Sequence, residues 1–344
     1  MSREPLSLHA SVAPLLRRGL VIVSALVVGS LVAVGTYAWS LQPGAAVVKA
    51  VFELKPEVTP PTGFASIRAD VREIHGVPLD TPGAPDAHMD VYTPRSANGA
   101  RLPVVLWIHG GGFISSSADT VADYAVLLAH RGFVVASLDY TLAPGAKHPA
   151  PVEQANTALA SLRTNAATYG GDPTRIFLGG DSAGAQIASE VASVETNHGA
   201  ARAVGITPAL AAARLRGVVL FCGLYDMSTV GTTGFPALRT YLWAYTGYRD
   251  WTAYPGIRAM STTSTATAAY PPTFLSVGDA DPFRTQEAEL AANLRSKSVP
   301  VTTLTWTGTG DHLGHEYQFD FTRPQARTAL TDTVAFLNAK AGEQ

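Results

Sequence analysis

The chain has 344 residues, 47% hydrophobic and only 15% charged, so it can bury a large core and is not disordered as a whole. A formal net charge of -2 excludes the basic face that nucleic acid demands, and no nucleic-acid partner is expected. The one cysteine, Cys222, leaves no internal disulfide, and its place at the end of an apolar run reads as a buried, inert thiol.

From Gly19 to Trp39 the sequence is uncharged and almost wholly apolar, broken only by the hydroxyls of Ser24, Ser30 and Thr36. A helix of about 21 such residues crosses a hydrocarbon core of about 30 Å. Arg17 and Arg18 stand just before it, with Arg3 farther out. The positive-inside bias then keeps residues 1–18 in the cytoplasm and exports the remainder. The expectation is a transmembrane anchor at 19–39 carrying an extracytoplasmic domain. The competing readings are a cleaved signal segment ending near Ala38-Trp39-Ser40, which leaves the domain secreted, and a buried core helix.

Residues 40–67 carry Pro43, Pro56, Pro60 and Pro61 and read as a linker followed by irregular structure that contributes to a cap. The remaining residues, 68–344, are expected to form one main domain, and no internal repeat is visible. From Ala87 onward, short β-rich runs alternate with longer Ala-rich stretches. That is the pattern of an α/β fold with a mostly parallel central sheet and helices on both faces. Strands are predicted at Val104 to Ile108, Phe133 to Leu138, Arg175 to Leu178, Arg216 to Phe221, Thr273 to Val277 and Val301 to Thr305. Helices are predicted at Ala118 to His130, Pro151 to Asn165, Ala183 to Val194, Thr285 to Lys297 and Pro324 to Ala339. Residues 222–270 break the rhythm. This stretch is too long for an ordinary βα connection and is rich in aromatics: Phe235, Tyr241, Trp243, Tyr245, Tyr248, Trp251 and Tyr254. It reads as an inserted cap, its aromatics either lining an acyl pocket or holding the cap together.

Two motifs fall at the carboxyl ends of predicted strands, where open α/β sheets carry their sites. Gly180-Asp181-Ser182-Ala183-Gly184 fits the G-x-S-x-G elbow that lifts a serine above a strand-to-helix turn. His109-Gly110-Gly111-Gly112 fits a glycine run whose backbone N–H groups can approach a developing oxyanion. The oxyanion donors are then Gly111, Gly112 and Ala183, and His109 shapes the loop. A serine nucleophile needs an imidazole base and a carboxylate to orient it, in the chain order Ser, acid, His. Gly278-Asp279-Ala280-Asp281-Pro282 offers two acids, of which Asp281 is chosen. Trp306 to Phe319 offers two bases, His312 and His315, which the residues alone leave open. Asp311, His312, His315 and Glu316 cluster without the ligand pattern of a metal site, so no metal is expected. No cofactor is expected either.

These motifs resemble the hormone-sensitive lipase family of α/β-hydrolases, marked by H-G-G-G and G-D-S-A-G. Asp139-Tyr140-Thr141-Leu142-Ala143-Pro144 is similar to that family's D-Y-R-L-A-P segment, and Asp172-Pro173-Thr174-Arg175-Ile176 to its D-P-x-R-I stretch. Asp281-Pro282-Phe283 is similar to the D-P-L motif that carries the catalytic acid. The resemblance covers roughly Val91 to Leu337. It implies an α/β-hydrolase fold with a cap, and a serine carboxylesterase with Ser182, Asp281 and His315 as its triad and His312 as the alternative base. It also implies a cap built from the N-terminal segment and an insertion before the acid strand. The chain departs from the pattern at Ala185, at Thr141 and at His315-Glu316-Tyr317, where the family has H-G-F. The expected substrate is a small-molecule or lipid-like carboxylic ester of short to medium acyl chain. The rival readings are an acyltransferase or amidase with the same triad, and a non-catalytic ligand binder on the same fold.

Overall fold

A computed structural model describes residues 41–52, 58–81, 87–97, 99–210 and 214–343. The apolar segment 19–39 lies outside them, and among the described residues no helix is long and apolar enough to cross a membrane. The described strands are β1 (Val71–Pro78), β2 (His88–Pro94), β3 (Leu102–Ile108), β4 (Val134–Asp139), β5 (Gly171–Asp181), β6 (Leu215–Phe221), β7 (Thr273–Val277) and β8 (Val301–Thr305). They form one sheet in the order β1-β2-β4-β3-β5-β6-β7-β8. β2 runs antiparallel to both β1 and β4, and the pairs from β4 through β8 are parallel. The sheet is therefore mostly parallel with an antiparallel edge.

Helices cover both faces: α1 (Gln42–Phe52), α2 (Phe64–Ala69), α3 (Ala122–His130), α4 (Ala150–Asn165), α5 (Ser182–Thr196), α6 (His198–Val204), α7 (Leu238–Thr246), α8 (Thr262–Thr265), α9 (Arg284–Ser296) and α10 (Pro324–Gly342). The period-two alternation of a strand decides which side chain meets which layer. Along β3, Val104, Leu106 and Ile108 join the core formed with Leu159 of α4, Ile187 and Val191 of α5 and Leu290 of α9. Val105 and Trp107 face the other way, onto Leu128 of α3 and Leu330 and Leu337 of α10. A strand buried on both faces has no polar position, which is why β3 reads as the unbroken apolar run L-P-V-V-L-W-I.

The six strands predicted from sequence are all present, with β5 longer at both ends than its predicted span. The antiparallel pair β1 and β2 is not among the predicted strands. β1 is half-exposed, with a glycine and a register shift between Ile74 and Val77, so it lacks an apolar signature. Within 40–67, α1 and α2 are helical, and α1 packs against α7 of the long connection between β6 and β7.

The turn from β5 into α5 is held by backbone against backbone. A Cβ on Gly184 would sit 2.6 Å from the Ile108 carbonyl carbon and closer still to the Ile108 and His109 oxygens. A Cβ on Gly180 would lie 2.6 Å from the Gly184 carbonyl. Neither neighbour can yield, because both are main chain. Gly184→Ala is accordingly expected to lower the unfolding free energy by at least about 2 kcal/mol, read from denaturant melts, as overpacking of a rigid contact does.

Candidate active site

β5 ends at Asp181 and α5 begins at Ser182, so the serine occupies the turn itself, with φ 50. That left-handed geometry costs a non-glycine residue about 1–3 kcal/mol and persists only where packing enforces it. Here the enforcement comes from the Gly180 and Gly184 contacts and from Asp181, whose Oδ1 accepts the Trp107 indole N–H at 2.8 Å. Ser182 is 5% exposed.

The acid and the imidazole arrive on the loops that follow β7 and β8. Asp281 Oδ2 lies 2.9 Å from His315 Nδ1, and His315 Nε2 lies 2.9 Å from Ser182 Oγ. The other Asp281 oxygen accepts the Phe283 N–H at 2.7 Å, fixing the carboxylate against rotation. Phe235 and Phe283 stack on each other at 4.3 Å and present their rings edge-on to His315 at 4.9 and 5.5 Å. Ser182, His315 and Asp281 therefore form one hydrogen-bonded row.

The second acid and the second histidine have other places. Asp279 accepts the backbone N–H of Leu313 at 2.6 Å and of His312 at 3.3 Å, while Ala280 donates to the Leu313 carbonyl at 2.9 Å. Asp279 thus ties the two loops together, and the His312 side chain is exposed on the outside of the tie. Sequence reasoning named Asp279 only as a rival acid and did not foresee this bracing role.

The glycine run turns sharply after β3, with φ 84 at Gly111 and φ 59 at Gly112. Its outer side is pinned by Ser115, whose hydroxyl donates to the Gly111 carbonyl at 2.8 Å. His109 is fully buried, stacked on Tyr140 at 4.3 Å, and the Tyr140 hydroxyl donates to the His109 and Gly110 carbonyls. From the β6–β7 connection, Tyr241 closes on the loop: a Cβ on Gly112 would lie 2.6 Å from its ring. Tyr245 stacks on Phe113 at 3.9 Å. Tyr254 reaches the same region from below, bonding His148, whose other ring nitrogen lies 2.7 Å from Glu190 of α5.

One carboxylate at the site entered the sequence reading only through the Asp311–Glu316 cluster and the departure from H-G-F. Glu316 has φ 60, and its Oε1 lies 3.5 Å from His315 Nε2 and 3.1 Å from the position of a Gly110 Cβ. Burial, with the Glu316 charge adding to it, pushes the Tyr241 phenol up to about 12. Burial likewise holds the carboxyl of Glu287, on α9 behind Asp281, well above the usual carboxylate range, and the Asp281 charge adds to that.

Two groups of metal-ligand atoms lie within 4.8 Å of one another among the described residues. One is Cys222, Asp281 and His315, where both ring nitrogens are engaged and the Cys222 thiol donates to Gln318. The other is His75, Asp90 and Asp119 near the β1 edge, where Asp90 accepts from Gly76 and faces the His75 ring. Of the sequence cluster of Asp311, His312, His315 and Glu316, His315 and Glu316 meet at 3.5 Å, while His315 also bonds Ser182 and His312 is exposed.

A model of the alpha/beta hydrolase fold family matches residues 105–315, and the chain belongs to that family, in keeping with its resemblance to the hormone-sensitive lipase group. Among curated proteins it is similar to carboxylesterase NlhH of Mycobacterium tuberculosis, 35% identical over 144 residues, 41% of this chain and 43% of that protein. The chain thus spans less than half the length of that relative. It is also similar to esterase LipI of the same species, 29% identical over 241 residues, 65% of this chain and 69% of that protein. Among solved structures, esterase B from Lactobacillus Rhamnosis has a TM-score of 0.72 at 21% identity, covering 91% of this chain and 96% of that one. That likeness is one of fold.

Cys222 is wholly buried, and burial, reinforced by the Asp281 and Glu316 charges, pushes its thiol well above the ordinary range. A raised thiol titration leaves almost no thiolate at pH 8. The folded protein is expected not to react with a disulfide reagent such as DTNB, and to release one equivalent only on denaturation.

Proposed function

We propose that this protein is a serine carboxylesterase acting through Ser182, His315 and Asp281. The observation that carries the reading is the hydrogen-bonded row from Asp281 through His315 to a serine held at φ 50 on a strand-to-helix turn. His315 takes the Ser182 proton at Nε2 as Oγ attacks the ester carbonyl, and Asp281 stabilises the imidazolium through Nδ1–H. The negative charge forms on the carbonyl oxygen, toward the N–H groups of Gly111, Gly112 and Ala183. The intermediate expels the alcohol with the proton from His315. A water molecule, deprotonated by the same imidazole, then releases the carboxylic acid and restores Ser182.

The substrates are proposed to be esters of short to medium acyl chain, because Tyr241 and the Phe113–Tyr245 stack close in on the glycine loop. In this reading, residues 222–270 are the cap, joined by the N-terminal stretch through the α1–α7 contact. Residues 19–39 anchor the protein in a membrane, or are cleaved on export, with the catalytic domain outside the cytoplasm in both cases.

The test is hydrolysis of p-nitrophenyl esters from acetate to decanoate. Ser182→Ala and His315→Ala are expected to lower kcat by about 10⁴-fold or more. His312→Ala should stay within about threefold of wild type, since its side chain points to solvent. Equal loss in both histidine variants, or full activity without Ser182, would overturn the assignment.

A further inference from the structure

Three carboxylates surround the Ser182–His315 pair, and they differ in what they face. Asp281 is spent on His315 Nδ1 and the Phe283 N–H, and Asp181 takes the Trp107 indole. Glu316 faces the reacting side of the imidazole: its Oε1 is 3.5 Å from Nε2, the same nitrogen that bonds Ser182 Oγ at 2.9 Å. Those two legs keep it within about 6 Å of the attacking oxygen, a distance at which a partly buried charge is weakly screened. The carboxylate also overhangs Gly110, at the entrance of the glycine loop. Its side chain is 20% exposed, so part of it meets solvent rather than the core.

The backbone gives a second reason to treat this residue as more than filler. At φ 60 a glycine would be free of strain, whereas a glutamate is not. The loop backbone is held by the Asp279 hydrogen bonds and the Ala280–Leu313 bond. The strained position thus places a carboxylate beside His315 Nε2.

Resting on the esterase reading, we infer that Glu316 is the specificity-determining residue of this site. Its carboxylate, fixed beside His315 Nε2 and Gly110, favours esters with a cationic group near the scissile bond and discriminates against anionic ones. The Coulomb attraction reaches the substrate's own charge, not only the imidazole, so the preference belongs to kcat/KM ratios among esters of matched shape. The nearby Asp181 and Asp281 contribute to the same field, Asp181 through an Oδ2 that also lies against the Gly110 position, but both are buried, whereas the Glu316 side chain is 20% exposed.

The experiment compares three acetate esters of similar size: those of choline, of 3,3-dimethylbutanol and of 2-hydroxyethanesulfonate. Wild type is expected to prefer the cationic ester over its neutral isostere by about tenfold and to disfavour the anionic one to a similar degree, with both ratios shrinking in 0.5 M salt. In Glu316→Gln the ratios should fall toward unity, and Glu316→Gly, which relieves the backbone and carries no amide, should do the same. Glu316→Asp should keep the order with smaller ratios. Ratios that persist in Gln and Gly variants would overturn the inference while leaving the esterase reading intact. Absence of wild-type turnover even on the neutral ester would instead sink the esterase reading, and the inference with it.

Discussion

The close approach of the β3 end to the start of α5 is the contact on which the site depends. The Ile108 carbonyl group presses against Gly184, and Gly180 presses against the Gly184 carbonyl. This brings the glycine loop after β3 and the serine turn after β5 to one place, although 70 residues separate Gly112 from Ser182 in the chain. It also fixes Ser182 at the first position of a 15-residue helix, where the free N–H groups and the aligned peptide dipoles favour negative charge. The Ser182 turn and the glycine loop are thus brought together by one packing event. The parallel pairing of β3 and β5, from Val104 opposite Ile176 to Ile108 opposite Gly180, sets that event in register.

The other half of the site is held between two further loops. Those after β7 and β8 press together where a Cβ on Gly278 would lie 2.7 Å from the Leu313 carbonyl carbon and the Gly314 oxygen, and Asp279 adds hydrogen bonds to residues 312 and 313. Two acids two residues apart therefore divide the labour: Asp279 braces the loop pair, and Asp281 faces the imidazole. Residues two apart in a turn point in different directions, and a single substitution at either would fail for a different reason. Loss of Asp281 removes the partner of His315 Nδ1, whereas loss of Asp279 releases the loop on which His315 rides.

Much of this was legible because its signals are local. Strand β3 is apolar throughout since both its faces are buried, and the glycine motifs sit directly after β3 and across the end of β5, so position and chemistry support each other. What was not legible depends on distant partners. His312 and His315 are three residues apart on one loop, and its contacts with the distant Gly278–Ala280 turn accompany one facing outward and the other Ser182. The edge strand β1 carries Arg72, Glu73 and His75 outward and pairs only with β2, so its sequence has neither an apolar run nor clean alternation. Helix α1 begins at Gln42 beside Pro43, and the prolines around it gave the stretch the composition of a linker.

The aromatics of the β6–β7 connection show why a choice between shaping a pocket and holding a cap together is too narrow. Tyr245 is fully buried and stacks on Phe113 of the glycine loop, Phe235 touches both Phe283 and His315, and Tyr241 covers Gly112. Each ring makes its packing contact on a residue that itself belongs to the site. Large planar side chains suit this double use because one face can bury area while an edge orients a neighbour. The Tyr254–His148–Glu190 chain extends the same logic to α5, since the connection is fastened to the helix that carries Ser182. A change in this segment must therefore also alter how firmly His315 and the glycine loop are held.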